Sequence, residues 1–196
     1  MPKLNAKDIL IPTVALVLIC GISTALLATT NEVTKEPIAQ AEAQTQQDSM
    51  MSVSPDGTKE YNQVDTGDSS VECYEALDGS GNVVAYAVAT SAKGYGGTIK
   101  VMTGFDAESG DIINVNVYDN SSETPGLGAK TSEVDFQGQF AGGSSETGFT
   151  VAKDADKNPG MDSVDAVTGA TISSRAVVKA VNQAIEIYNQ VSGGAE

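Results

Sequence analysis

Residues 98–118 read TIKVMTGFDAESGDIINVNVY, and this stretch decides the fold. Two runs rich in Val, Ile and Phe flank DAESGD, an acidic cluster with a glycine that ends strands rather than continuing them. The pattern predicts a hairpin of strands over 98–105 and 112–118, with Ile113, Val115 and Val117 alternating against Asn114 and Asn116. Upstream, 73–77, the turn DGSGN and 83–90 predict a second hairpin. Downstream come a polar segment around 138–148, a short strand over 148–153 and a helix over 173–190. On that helix Val177, Val181, Ala184 and Tyr188 recur at helical spacing, with Val178 and Ile185 beside them. Strands followed by a closing helix imply an α+β domain of antiparallel strands, not a doubly wound sheet. The domain is expected over 71–196, behind a linker at 52–70 that carries Pro55, Asp56-Gly57 and Gly67.

The chain ahead of it is of another kind. Residues 9–29, ILIPTVALVLICGISTALLAT, hold no charge over 21 positions. At about 1.5 Å per residue a helix of that length spans roughly 30 Å, a bilayer core. A secretory signal has an apolar stretch of only about 7–15 residues, so 9–29 reads as an uncleaved anchor, with Pro12 tolerated in its first turn. Lys3 and Lys7 precede the span against Asp8 alone, which puts residues 1–8 in the cytoplasm and the remainder outside the cell membrane. Residues 32–51, rich in Ala and Gln, read as a stalk helix that starts at Pro37; with the linker they make a stalk over 30–70.

Composition excludes several mechanisms. The 196 residues include no histidine, which removes Ser-His-Asp and Cys-His nucleophile pairs and imidazole metal ligands. A net charge of -15 argues against nucleic acid as a partner, since phosphate neutralisation needs clustered Lys and Arg. Cys20 lies in the span and Cys73 beyond it, so the two do not pair within one chain.

Four short patterns remain. Thr168-Gly169-Ala170-Thr171-Ile172-Ser173-Ser174, after Asp165 and before the last helix, offers hydroxyls and free N–H groups at a helix start. That is an anion site on physical grounds, while ordinary N-capping by Ser or Thr explains the same residues. Glu123-Thr124-Pro125-Gly126-Leu127-Gly128-Ala129-Lys130 allows close backbone approach to a planar or phosphorylated ligand, or is a plain turn. Asp154-x-Asp156-x-Asn158 echoes a calcium loop, but Pro159 stands where the sharp-turn glycine belongs. It reads as an acidic surface turn, and no metal site is expected. Gly94-Tyr95-Gly96-Gly97 alone reads as a turn.

Taken together, TKEPIA (34–39), GYGG (94–97), ETPGLG (123–128) and DAVTGATISSRAV (165–177), behind one apolar span, resemble the FMN-binding domain family. The resemblance is closest to the G subunits of Rnf ion-translocating electron-transport complexes, relatives of the C subunit of Na+-pumping NADH:quinone reductase. It implies FMN joined covalently through its phosphate to the hydroxyl of Thr171, set there by a separate flavin transferase. Asp165, Thr168, Gly169 and Ala170 are then recognition and packing residues, and Glu123, Thr124, Pro125, Gly126, Leu127 and Gly128 line the ring, with Tyr95 and Lys130 beside it. Ser121 departs from the family, whose members often carry histidine there. The implied role is electron relay among the redox and membrane subunits of a complex that couples ferredoxin:NAD+ electron transfer to Na+ or H+ translocation, with no separate catalytic residue. A stand-alone extracytoplasmic flavoprotein and a cofactor-free anchored binding domain are the other readings of the same residues.

Overall fold

The computed structural model describes residues 6–67 and 71–193, without the side chains of residues 6, 8 and 155–157. Lys3 of the basic flank, residues 68–70 of the expected linker and the Asp156 side chain lie outside the described residues. The chain divides into two compact units, residues 1–44 and 45–196.

The first unit is helix. One helix, α1 (Ala6–Ser52), runs on from it into the second unit, and its segment from Ile9 is exposed, apolar and long enough to cross a bilayer. Pro37 therefore does not start a second helix but lies inside α1, and Pro12 sits a turn deeper than the sequence suggests. The hydroxyls of Thr13, Thr29 and Thr34 bond back to carbonyls four residues earlier, so each is satisfied within the helix itself.

The second unit is a five-stranded antiparallel sheet in the order β1 (Glu60–Val64), β2 (Glu72–Leu77), β3 (Val83–Lys93), β4 (Thr98–Asp106), β5 (Ile112–Asp119). Both predicted hairpins form. The stretch expected to be a linker supplies β1, which pairs with β2 from Glu60↔Leu77 to Val64↔Cys73. Its Tyr61 and Val64 are half-buried, one on each sheet face, a signal too weak to read in so polar a run. In β5 the alternation is out of phase by one residue at its start. A bulge pairs Gly104 with Asn114 and Phe105 with Ile112, so Ile112, not Ile113, turns inward with Val115 and Val117.

Helix α3 (Thr171–Ser192) packs across one sheet face, two residues longer at each end than its apolar spacing marks. Val177, Val181, Ala184 and Tyr188 meet Val88, Ile99, Val101 and Phe105 in the main core, and Tyr188 stacks on Phe105 at 4.6 Å. The opposite face is closed by the end of α1: Met50 and Val53 pack on Ala87, Ala89 and Met102. Gly104 makes this possible, because a Cβ there would overlap the Val53 carbonyl. Beyond β5 the chain forms a 3₁₀ turn (Gly128–Ser132), a short helix α2 (Val134–Gln137), and a two-stranded parallel pair, β6 (Phe149–Val151) with β7 (Asp162–Val164). The parallel pair is short and was not legible; β6 is shorter than the expected strand because the chain turns 3₁₀ from Ala152. Asn182 of α3 secures β6 by accepting from the Phe149 N–H and donating to the Phe149 carbonyl, both at 2.8 Å.

Candidate functional site

Three loops separated in sequence meet at the start of α3. The first, 94–97, leaves β3 and re-enters at β4, closed by the Gly94 N–H on the Gly97 carbonyl at 2.7 Å. Its glycines are steric. A Cβ at Gly94 would overlap the Glu123 carboxylate and Ile99, and one at Gly96 would overlap the Ser122 carbonyl.

The second loop follows β5. Thr124-Pro125-Gly126-Leu127 is a turn closed by the Leu127 N–H on the Thr124 carbonyl at 3.1 Å, with Pro setting φ and Gly126 at φ +77°. Asn120 donates to the Ala129 carbonyl at 2.9 Å, and Thr131 donates to the Gly128 carbonyl at 2.8 Å, bracing the loop from behind. Ser121 is exposed; its hydroxyl and N–H both bond Asp119 Oδ1, at 2.9 and 3.2 Å. Burial pushes the Asp119 carboxyl up, but these bonds and Lys100 outweigh it and hold it below its ordinary value. Ser121 thus shapes a turn, away from the cavity described below.

The third loop carries the hydroxyl cluster. Gln139 grips the Asp165 backbone, accepting from its N–H at 2.7 Å and donating to its carbonyl at 3.3 Å. A turn from Val167 to Ala170, with Gly169 at φ +78°, delivers the chain to α3. The hydroxyls do not cap the helix in the ordinary way: the N-cap is Ala170, which makes no side-chain cap bond. Ser174 instead accepts from the Val167 N–H and donates to the Ala170 carbonyl, each at 3.0 Å. Ser173 donates to Glu123 Oε2 at 2.6 Å. The first-turn N–H groups of α3, beginning at Thr171, are left without the usual side-chain acceptor.

The loops enclose a cavity of about 620 Å³, a size suited to a small-molecule cofactor. Thr171 opens into it, half-buried, beside Gly169, Ala170 and Ser173 on one wall and Glu123, Thr124, Leu127 and Gly128 on another. Tyr95, Leu127 and Ile172 give the rim large exposed apolar surface, and Lys153, arriving from the end of β6, supplies a cation. Of the residues singled out in the sequence, Tyr95, Glu123, Thr124, Leu127, Gly128, Gly169, Ala170 and Thr171 come together here. Gly126, Lys130, Asp165 and Thr168 line a separate depression of about 340 Å³ with Glu133 and Asp135. Pro125 lines neither cavity. Ile172 and Ser173 lay inside the hydroxyl motif without a role of their own, and Lys153 was missed, since nothing in the sequence near it points to this wall. Asp154, from the calcium-like pattern, is turned to Arg175 in a two-point ion pair at 2.6 and 3.0 Å. Arg175 with Lys179, Asn182 and Phe149 borders another depression, about 700 Å³.

An apolar helix long enough to span a bilayer is followed by an α+β domain whose cofactor-sized cavity meets a hydroxyl at a helix start with no side-chain cap. Residues 94–186 match the FMN-binding domain family and residues 1–53 match the RnfG N-terminal region. The chain is 34% identical to the G subunit of the ion-translocating oxidoreductase complex of Methanosarcina acetivorans, over 96% of this chain and 99% of that one. It is also 34% identical to the G subunit of the proton-translocating ferredoxin:NAD(+) oxidoreductase complex of Clostridium ljungdahlii, over 91% of each. Its fold resembles that of the C subunit of the Na(+)-translocating NADH-quinone reductase from Parabacteroides distasonis, with a TM-score of 0.57, 22% identity, and coverage of 69% of this chain and 78% of that one. The chain belongs to the RnfG family, the G subunits of ion-translocating oxidoreductase complexes, and carries their FMN-binding domain.

Proposed function

We propose that this protein is the electron-carrying G subunit of an Rnf-type complex that couples ferredoxin:NAD+ electron transfer to Na+ or H+ translocation, and that it holds FMN covalently through Thr171. The observation that carries the reading is the Thr171 hydroxyl at the mouth of a cofactor-sized cavity, on a helix start with no side-chain cap. The residues present fit the group. The first-turn N–H groups and the helix dipole attract the phosphate, Lys153 adds a positive charge, and Gly169 and Ala170 leave the approach to the hydroxyl clear. Tyr95, Leu127 and Ile172 offer apolar surface to a planar ring, and Glu123, Thr124 and Gly128 form the facing wall. Bound FMN supplies one- and two-electron chemistry; the chain supplies position, shielding and charge.

Asp165 and Thr168, facing the neighbouring depression, are left for the flavin transferase to read, and Lys130 lines that same depression. Residues 9–29 anchor the chain in the cell membrane, and Lys3 and Lys7 orient it with the N-terminus cytoplasmic and the domain outside. Its partners are the other redox and membrane subunits. The relatives' complexes differ in coupling ion, proton in Clostridium ljungdahlii and sodium in Acetobacterium woodii, as their names state.

The test is peptide mass spectrometry on chain purified from its native membranes. Trypsin releases residues 158–175 as one fragment, which contains Thr171. The expected result is a flavin mononucleotide adduct on Thr171, lost in Thr171→Ala, while the melting temperature of the unloaded domain changes little. An unmodified Thr171 in membranes with active complex would overturn the reading.

A further inference from the structure

We infer that Glu123 is the positioning residue of the acceptor turn, holding Thr171 in presentation by tying Ser173 to the 94–97 loop. The inference rests on the reading of Thr171 given above. The Glu123 side chain is 4% exposed, and each carboxylate oxygen has its own task. Oε1 accepts from the Gly96 N–H at 2.9 Å, and Oε2 accepts from the Ser173 hydroxyl at 2.6 Å. Ser173 is itself 1% exposed and lies two residues after Thr171 in the first turn of α3. The carboxylate is thus the bridge between two loops that are 77 positions apart when counted from Gly96 to Ser173 (173 − 96).

The surrounding sequence is cut to fit this bridge. A Cβ on Gly94 would overlap Oε1, and one on Gly128 would overlap Oε2 and press to 2.8 Å from the Ser173 Oγ. Two glycines in two different loops therefore leave space for the same carboxylate. Hydrogen bonds to a charged group are stronger than neutral ones, and two of them on one carboxylate favour one arrangement of the turn over its alternatives. With the bridge removed, the first turn of α3 keeps its N–H groups but loses the tether that sets where they and the Thr171 hydroxyl point.

The experiment uses the full chain with four substitutions: Glu123→Ala, Glu123→Gln, Gly128→Ala, and Val115→Ala, a buried strand residue remote from the loops chosen as a stability match. FMN occupancy of Thr171 is read by mass spectrometry of the 158–175 fragment after expression in the native host. Exchange of the Gly96 amide is read in a Thr171→Ala background, so that it reports on the chain without cofactor. Glu123→Ala and Gly128→Ala are expected to lose most of the adduct, and in both the Gly96 amide exchanges about tenfold faster or more. Glu123→Gln is expected to rescue both, because the Gln oxygen still accepts from Gly96 while its amide pairs with the Ser173 oxygen. Val115→Ala is expected to keep its adduct at a similar melting temperature. A loaded wild type with an equally loaded Glu123→Ala overturns the positioning role alone, as does a Val115→Ala chain that loses the adduct to the same degree, or a Glu123→Gln chain no better than Glu123→Ala. An unmodified wild type overturns the reading of Thr171 and this inference with it.

Discussion

Replacing Asn182 by leucine tests how the far wall of the cavity is held. Asn182 acts as a strand neighbour made from a side chain: its amide both accepts from and donates to the Phe149 backbone at 2.8 Å. Leucine has the same branched shape and number of side-chain heavy atoms but returns neither bond, so the Phe149 N–H and carbonyl, on a residue 2% exposed, are left unpaired. Each orphaned buried group costs about 1–3 kcal/mol, which puts Asn182→Leu at about 2–6 kcal/mol against a total stability of about 5–15. For a domain of this size that is a fall in melting temperature of roughly 4–24 °C. Asn182→Asp keeps the acceptor and loses the donor, so it should fall between. Urea unfolding of the domain gives the stability, and exchange of the Phe149 amide gives the site. The loss should show at β6 first, and with it at Lys153, which follows β6 by two residues. A Leu variant within about 0.5 kcal/mol of wild type, the range of ordinary surface changes, would refute the reasoning.

Gly104→Val should unseat the end of α1 from the sheet, since even a Cβ at that position overlaps the Val53 carbonyl. Val53 is fully buried and Ser52 accepts from Asn114 at 3.0 Å and Asn116 at 2.7 Å, so a loss of about 3–5 kcal/mol is expected by urea unfolding, with faster proteolysis near residue 53. Thr103→Val should be neutral or stabilising by about 1–2 kcal/mol, because the Thr103 hydroxyl is buried without a partner among the described residues; a destabilised variant would mean that a bound water satisfies it. Burial, with Glu75 adding to it, pushes the Cys73 thiol from its ordinary 9.0 up to about 11. The folded state therefore holds the proton more tightly than the unfolded chain, so stability is whole below pH about 9 and falls as pH rises toward 11. Alkylation of native protein at pH 8 should leave Cys73 untouched, and the Cys73→Ala variant should lose that alkaline slope.

The strands and the last helix were legible because their residues sit on one buried face at a fixed period: Val115 and Val117 on β5, Val177, Val181 and Ala184 on α3. What was not legible has specific causes. Strand β1 is too polar to show a period, and its place depends on β2, which is known only once the sheet exists. The bulge that turns Ile112 inward is a property of the pairing with β4, not of the IINVNV run itself. The motif at 168–174 was legible both as an anion site and as a cap. In the structure neither serine caps the helix, since each is already engaged, Ser173 with Glu123 and Ser174 with the Val167 and Ala170 backbone. Lys153 was invisible because its neighbours in sequence are acidic and its neighbours in space are 16 or more positions away, at Gly169–Ser173 and Tyr95–Gly128.

A buried carboxylate beside the place where a phosphate would attach is an unfavourable choice on charge alone, in a chain already at -15. Its retention there makes sense if geometry and attraction are divided between different groups. On this reading, attraction for an anion comes from Lys153 and from the start of α3, where no side chain caps the N–H groups and the dipole amounts to about half a positive charge. Geometry comes from Glu123, whose charge is turned toward a hydroxyl and an amide and away from competing for the same donors. A neutral side chain of the same length would accept as well at Gly96 but would have to reverse the polarity of the Ser173 bond. Both oxygens of a carboxylate accept, and the loop amide and the serine hydroxyl both donate, so the carboxylate meets both donors whichever way round it sits. The three motifs that a reader of the sequence sees as separate turns are, on this reasoning, the three sides of one fixed acceptor.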